Sequence, residues 1–69
     1  MPKRLGSAEI IAILENRGFT RVSQRGSHIK FRSDGGRIVI VPAAKKEIPI
    51  ATTRSISRQS GLDRAEFGF

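Results

Sequence analysis

Residues 28–42 read as a β-hairpin, and that reading constrains everything around them. His28-Ile29-Lys30-Phe31-Arg32 alternates polar and apolar without a break, the period of a strand with one buried face. Ser33-Asp34-Gly35-Gly36 follows, a cluster of residues that favour turn conformations. Arg37-Ile38-Val39-Ile40-Val41 is a second strand, apolar enough to look buried, and Pro42 ends it because it brings no N–H to the ladder. Two strands alone are marginal in water, so the apolar face needs a third strand and a covering helix.

The flanks supply both. Phe19 to Gln24 reads as a strand, with Val22 as its clearest apolar position, and Arg25-Gly26-Ser27 marks the turn into the hairpin. Upstream, Ile10, Ile11 and Leu14 recur at helical spacing with Ile13 beside them. The spacing predicts a helix over 8–17, with Ser7 as cap, Glu9 in the first turn, Arg17 in the last and Gly18 as the stop. Ala43 to Ile50 reads as a loop carrying Lys45-Lys46. A second helix is expected from about Thr52 to Gly61, with Ile56 as its only large aliphatic, Ile50 and Leu62 flanking, and Arg54 and Arg58 on a shared face. Asp63-Arg64-Ala65-Glu66 has the form of a capping box before a short turn at 64–67. Phe67 or Phe69 can then fold back onto the core. The expected architecture is one α+β domain over 1–69 with its core at about 7–67: helix, three-stranded antiparallel sheet, helix, with both helices on one face and the other face open.

Charge narrows the function classes. Thirteen Lys and Arg face six Asp and Glu, a net charge of +7, and nine of the thirteen are arginine. Arginine's planar fork matches phosphate oxygens, so a polyanion partner is the first reading, with a merely solubilising surface as the bland one. With no cysteine in the chain, disulfide and thiolate–metal chemistry have no ligand to use. No apolar run approaches the roughly 20 residues of a membrane-spanning helix, and no apolar signal-type segment follows the basic start at Met1. A cytoplasmic protein without membrane contact is the expectation.

His28 is the only histidine, and imidazole is the one side chain that ordinarily changes charge between about pH 5 and 8. The carboxylates, Glu9, Glu15, Asp34, Glu47, Asp63 and Glu66, are scattered, and a zinc or magnesium site is not expected from them. What remains is acid–base chemistry without a metal or cofactor. RNA makes that feasible because its 2′-hydroxyl is an internal nucleophile. On this reading His28 moves a proton while Arg25, Lys30 or Arg32 stabilises a charged phosphorane. Gly26 lets backbone approach a phosphate. The candidate substrate-binding set is Arg25, Gly26, Ser27, Lys30, Arg32, Lys45 and Lys46. The residues alone leave other readings open: an ordinary surface histidine in a non-catalytic RNA-binding module, or a basic face serving an acidic protein.

Gly18-Phe19, then Arg25-Gly26-Ser27-His28, a hairpin, Val41-Pro42, and a helix ending in Gln59-Ser60-Gly61-Leu62 before an acidic-Phe terminus together resemble the HicA toxin family. The resemblance spans roughly residues 7 to 67. It implies a double-stranded-RNA-binding-domain-like fold and a metal-independent mRNA endonuclease whose catalytic histidine matches His28. It also implies a HicB-type antitoxin covering that residue. Two departures stand out. Ala44 occupies a position where the family often has a second histidine, and Ser57 one where an aliphatic is common. The lost apolar contact raises the expectation that the domain leans on its partner or forms a homodimer.

Overall fold

The computed structural model describes residues 3–69. Helix α1 (Ser7–Asn16) is followed by strands β1 (Phe19–Arg25), β2 (His28–Ser33) and β3 (Ile38–Pro42). Helix α2 (Ile50–Ser60) and a 3₁₀ turn (Arg64–Phe67) complete the chain. The strands form one antiparallel sheet in the order β1-β2-β3. Ile10 and Leu14 of α1, Ile56 of α2 and Phe67 of the 3₁₀ turn join Ile29, Phe31, Val39 and Val41 of the sheet in one buried cluster. Both helices therefore cover the same face, as the sequence implies, and the other face has no layer over it.

The strict alternation in β2 does what its period dictates: Ile29 and Phe31 are buried, while His28, Lys30 and Arg32 are exposed. β3 departs from expectation. Its four consecutive aliphatics look buried in sequence, yet only Val39 and Val41 are, and Ile38 and Ile40 remain 40% and 38% exposed. A strand covered on one side can bury only alternate residues. β1 departs further. It runs on to Arg25, and the register slips between Arg21 and Ser23, which leaves Val22 without a partner in a β-bulge. Val22 is half exposed rather than core; Phe19 is the buried residue of this strand.

The helix boundaries carry further corrections. α1 begins one residue earlier than the spacing predicts, with Gly6 as cap, and the Glu9 carboxylate accepts from the Gly6 N–H at 3.1 Å. Ser7 caps nothing. It is buried, and its hydroxyl donates to the Pro42 carbonyl and accepts from the Lys45 N–H. The Ser7 N–H in turn donates to the Lys45 carbonyl, and the Ile48 N–H to the Leu5 carbonyl. This stitching requires glycine at position 6, because a Cβ there would stand 2.7 Å from the Lys46 carbonyl oxygen. It also draws the segment expected to be a plain loop into the core, where Ile48 is fully buried. α2 starts at Ile50, after Pro49, rather than near Thr52. Proline supplies a helix-ready φ and lacks only an N–H that the first turn leaves unpaired anyway.

Gly18 and Gly61 stop the two helices in left-handed conformation, with φ of 87° and 71°, a geometry that penalises any side chain. At the end of α2, Ser57 is buried but not unpaired: its hydroxyl donates to the Leu62 carbonyl at 3.3 Å. The Asp63 capping box forms by half. Asp63 accepts from the Ala65 N–H at 3.0 Å, whereas Glu66 turns away and takes a two-pronged bond from Arg17 at 3.1 and 2.7 Å.

Thr53 is the one buried side-chain polar atom without a partner among the described residues. It lies on the inner face of α2 at 1% exposure. An unpaired buried hydroxyl costs roughly 1–3 kcal/mol, and valine has nearly the same shape and helix propensity. Thr53→Val is expected to raise stability by about 1–2 kcal/mol, read as a higher urea midpoint at unchanged slope. A destabilised variant would mean that the hydroxyl does find a partner in solution.

Candidate functional site

The open sheet face is built from three rows across the strands. Arg25, His28 and Pro42 stand in register, as do Ser23, Lys30 and Ile40, and then Thr20, Arg32 and Ile38. Neighbouring strands lie about 4.8 Å apart and same-face residues about 6.8 Å apart along a strand. The face is therefore banded: polar along β1, cationic along β2, apolar along β3.

The bulge at Val22 sets the composition of the first row. Without the extra residue, the parity of β1 would bring Gln24 outward beside His28 and turn Arg25 inward. With it, Arg25 pairs with His28 on the open face, and Gln24 pairs with Ile29. The turn between them is two residues long, with Gly26 at φ 54° as its first member, the position where a type II′ hairpin turn demands glycine. Two hydrogen bonds hold the turn in place. The Ala43 N–H donates to the Ser27 carbonyl at 2.7 Å, and the Gln24 side-chain amide donates to the Gly26 carbonyl at 3.2 Å. His28 is thus the first residue of a strand whose start is tied to both neighbours.

Ser23, Arg25, His28, Lys30 and Ile40 line a concavity of about 450 Å³. Three of the sequence-selected residues, Arg25, His28 and Lys30, meet there. Arg32 lines a second hollow of about 290 Å³ with Thr20, Val22, Ser33 and Asp34. Gly26 and Ser27 form the turn rather than a wall. Lys45 and Lys46 are exposed on the β3–α2 segment and line neither hollow. Ser23 and Ile40 were not singled out by sequence. Ile40 was hidden by its reading as core, and Ser23 by the bulge.

No carboxylate comes within ion-pairing distance of Arg25, Lys30 or Arg32 among the described residues; the ion pairs are Lys3–Glu9 and Arg17–Glu66, away from this face. Nor do three or more His, Asp or Glu side chains cluster anywhere among them. The face thus presents uncompensated positive charge beside one imidazole, an arrangement suited to holding phosphate and moving one proton.

The family model for the HicA toxin of bacterial toxin–antitoxin systems matches residues 7–62. The chain belongs to the HicA toxin family. The match runs from the first residue of α1 to just beyond the Gly61 stop of α2. It takes in every row of the open face and leaves the 3₁₀ turn with Phe67 outside. No curated protein matches the chain. Membership makes this HicA protein the toxin half of a toxin–antitoxin pair. No helix among the described residues is long and apolar enough to cross a membrane.

Proposed function

We propose that this HicA protein is a metal-independent endoribonuclease acting on mRNA, with His28 as its general acid or base, and that a HicB-type antitoxin restrains it by covering His28. The observation that carries the reading is the gathering of the sole imidazole with Arg25 and Lys30 in one exposed hollow free of carboxylates.

The chemistry needs nothing more than the substrate provides. The 2′-oxygen attacks the adjacent phosphorus and loses its proton, the P–O5′ bond breaks, and the 5′-oxygen gains a proton. The products are a 2′,3′-cyclic phosphate and a 5′-hydroxyl. One imidazole can take the first proton or give the second, with solvent completing the other transfer. Arg25 and Lys30 oppose the charge that grows on the phosphorane oxygens, where a well-aimed donor is worth roughly 3 kcal/mol. Arg32, two residues along β2 from Lys30, suits the next phosphate, and the Gly26-Ser27 turn admits a close backbone approach. Lys45 and Lys46 serve as outlying phosphate contacts.

The test is cleavage of a labelled RNA by antitoxin-free protein in excess EDTA. Cleavage is expected to continue and to leave cyclic phosphate ends, and a single 2′-deoxy substitution is expected to block scission at that site alone. Loss of all cleavage on chelation would remove the metal-free mechanism. RNA that is bound but never cut would favour a non-catalytic RNA-binding module, the alternative that a lone exposed histidine leaves standing.

A further inference from the structure

The third band of the open face has no role in the core and none in the proton transfer. Burial of β3 requires only Val39 and Val41, yet the outward positions are also β-branched aliphatics, Ile38 and Ile40, beside the cations of β2. We propose that Ile40, extended by Ile38, is an apolar wall that receives an unstacked nucleobase next to His28, so that the site selects single-stranded over double-helical RNA. This rests on the reading of the face as an RNA site and adds the residues that discriminate between forms of RNA.

Four observations converge on it. Ile40 lines the same hollow as His28, and about 450 Å³ falls within the range of small-molecule sites, roughly 300–1,000 Å³. Each aliphatic stands directly across from a cation, Ile40 from Lys30 and Ile38 from Arg32. One nucleotide can then set its phosphate on β2 and its base over β3, and the next can repeat the placement about 6.8 Å further along. A base paired in an A-form helix keeps its faces stacked and cannot offer one to a wall, whereas bases in single strands can be splayed out onto a protein surface. Ile40 is also fixed in place: its N–H donates to the Gln59 side-chain oxygen of α2 at 3.3 Å. This closes the strand edge there and leaves the face as the accessible surface. The charge of the face is complementary to RNA, since none of its cations is neutralised by a carboxylate among the described residues.

The experiment measures fluorescence anisotropy with the full chain and three short probes: a single-stranded 2′-O-methyl RNA, the same strand in a duplex, and a ribose-phosphate oligomer of equal length without bases. The 2′-O-methyl group blocks the nucleophile, so binding is read without cleavage. Ile40→Thr keeps the β-branch but removes apolar surface. It is expected to weaken single-strand binding about three- to tenfold, with a smaller loss for Ile38→Thr. The baseless oligomer should bind all variants alike, with an unchanged salt dependence. Ile40→Val, which remains apolar, should lose less than Ile40→Thr, and unchanged binding of the baseless oligomer controls for folding. An equal loss on the baseless probe, or no loss on the single strand, overturns the wall. Unchanged RNA binding with collapse of antitoxin binding also overturns it, in favour of a protein-docking role. Equal binding of the single strand and the duplex by the wild-type chain sinks the wall and spares the nuclease; base-dependent single-strand binding without cleavage does the reverse.

Discussion

Replacing His28 with alanine is expected to slow RNA cleavage by about 10²–10⁴-fold, the range that positioned acid–base catalysis supplies, while RNA affinity stays close to wild type. The two readouts separate because different groups carry them. On the proposed reading phosphate attraction resides in Arg25, Lys30 and Arg32, which the substitution leaves untouched, and no second imidazole exists to take over the proton. The side chain is exposed and packs in no core cluster, so the thermal midpoint should not move. Growth arrest on expression should disappear with the cleavage. A His28→Ala protein that still cuts at full rate would sink the site assignment, and the 2′-hydroxyl proton would need another acceptor. Lys30→Ala should differ by losing both readouts: affinity falls by an amount that shrinks as salt rises, and cleavage of bound RNA slows because a donor to the phosphorane is gone.

Phe67→Ala is expected to cost about 3–5 kcal/mol, the usual penalty for removing a buried aromatic. For so small a domain, total stability near 5 kcal/mol is typical, so the variant should keep only about 0–2 kcal/mol and be marginally stable to half unfolded at room temperature without its antitoxin. Phe67 is 1% exposed and sits in the central cluster, although it lies beyond the segment that matches the family model. The turn that delivers it is held by the Asp63 cap, the Arg17–Glu66 pair and Gly68 at φ 85°. Urea titration followed by far-ultraviolet circular dichroism measures the effect. A loss below about 1 kcal/mol, the scale of an ordinary surface change, would show that the C-terminal turn does not close the core in solution. Co-expression with the antitoxin should rescue folding by mass action, which separates loss of packing from loss of the site.

The local periods in the sequence were reliable wherever one physical rule decided the outcome. Alternation from His28 to Arg32 placed the imidazole and two cations on one face, because successive strand residues must point oppositely. Gly18, the Gly26 turn and the Gly35-Gly36 turn set the element ends, because only glycine takes left-handed backbone without penalty. From these, the fold class and the core of the candidate site were legible: helix, antiparallel sheet, helix, with His28 beside Lys30 on an uncovered face.

Other features depended on residues distant in sequence, and only the tertiary structure decided them. Ser7 looked like a cap but spends its hydroxyl on Pro42 and Lys45, thirty-five and thirty-eight residues away. Ile48 looked like loop and is core, because the Leu5 carbonyl pulls that segment inward. Ile38 and Ile40 looked like core and are surface, because the sheet is covered on one side only. The open face carries the most consequential case. His28 and its parity were written in β2, but the Arg25 beside it depends on a one-residue bulge at Val22, and the Ile40 wall depends on the register of a strand ten residues further on. A bulge leaves no periodic trace, and register between strands is set by pairing rather than by either strand's own pattern. The sequence therefore determined which residue can move a proton, and the assembled sheet determined what surrounds it.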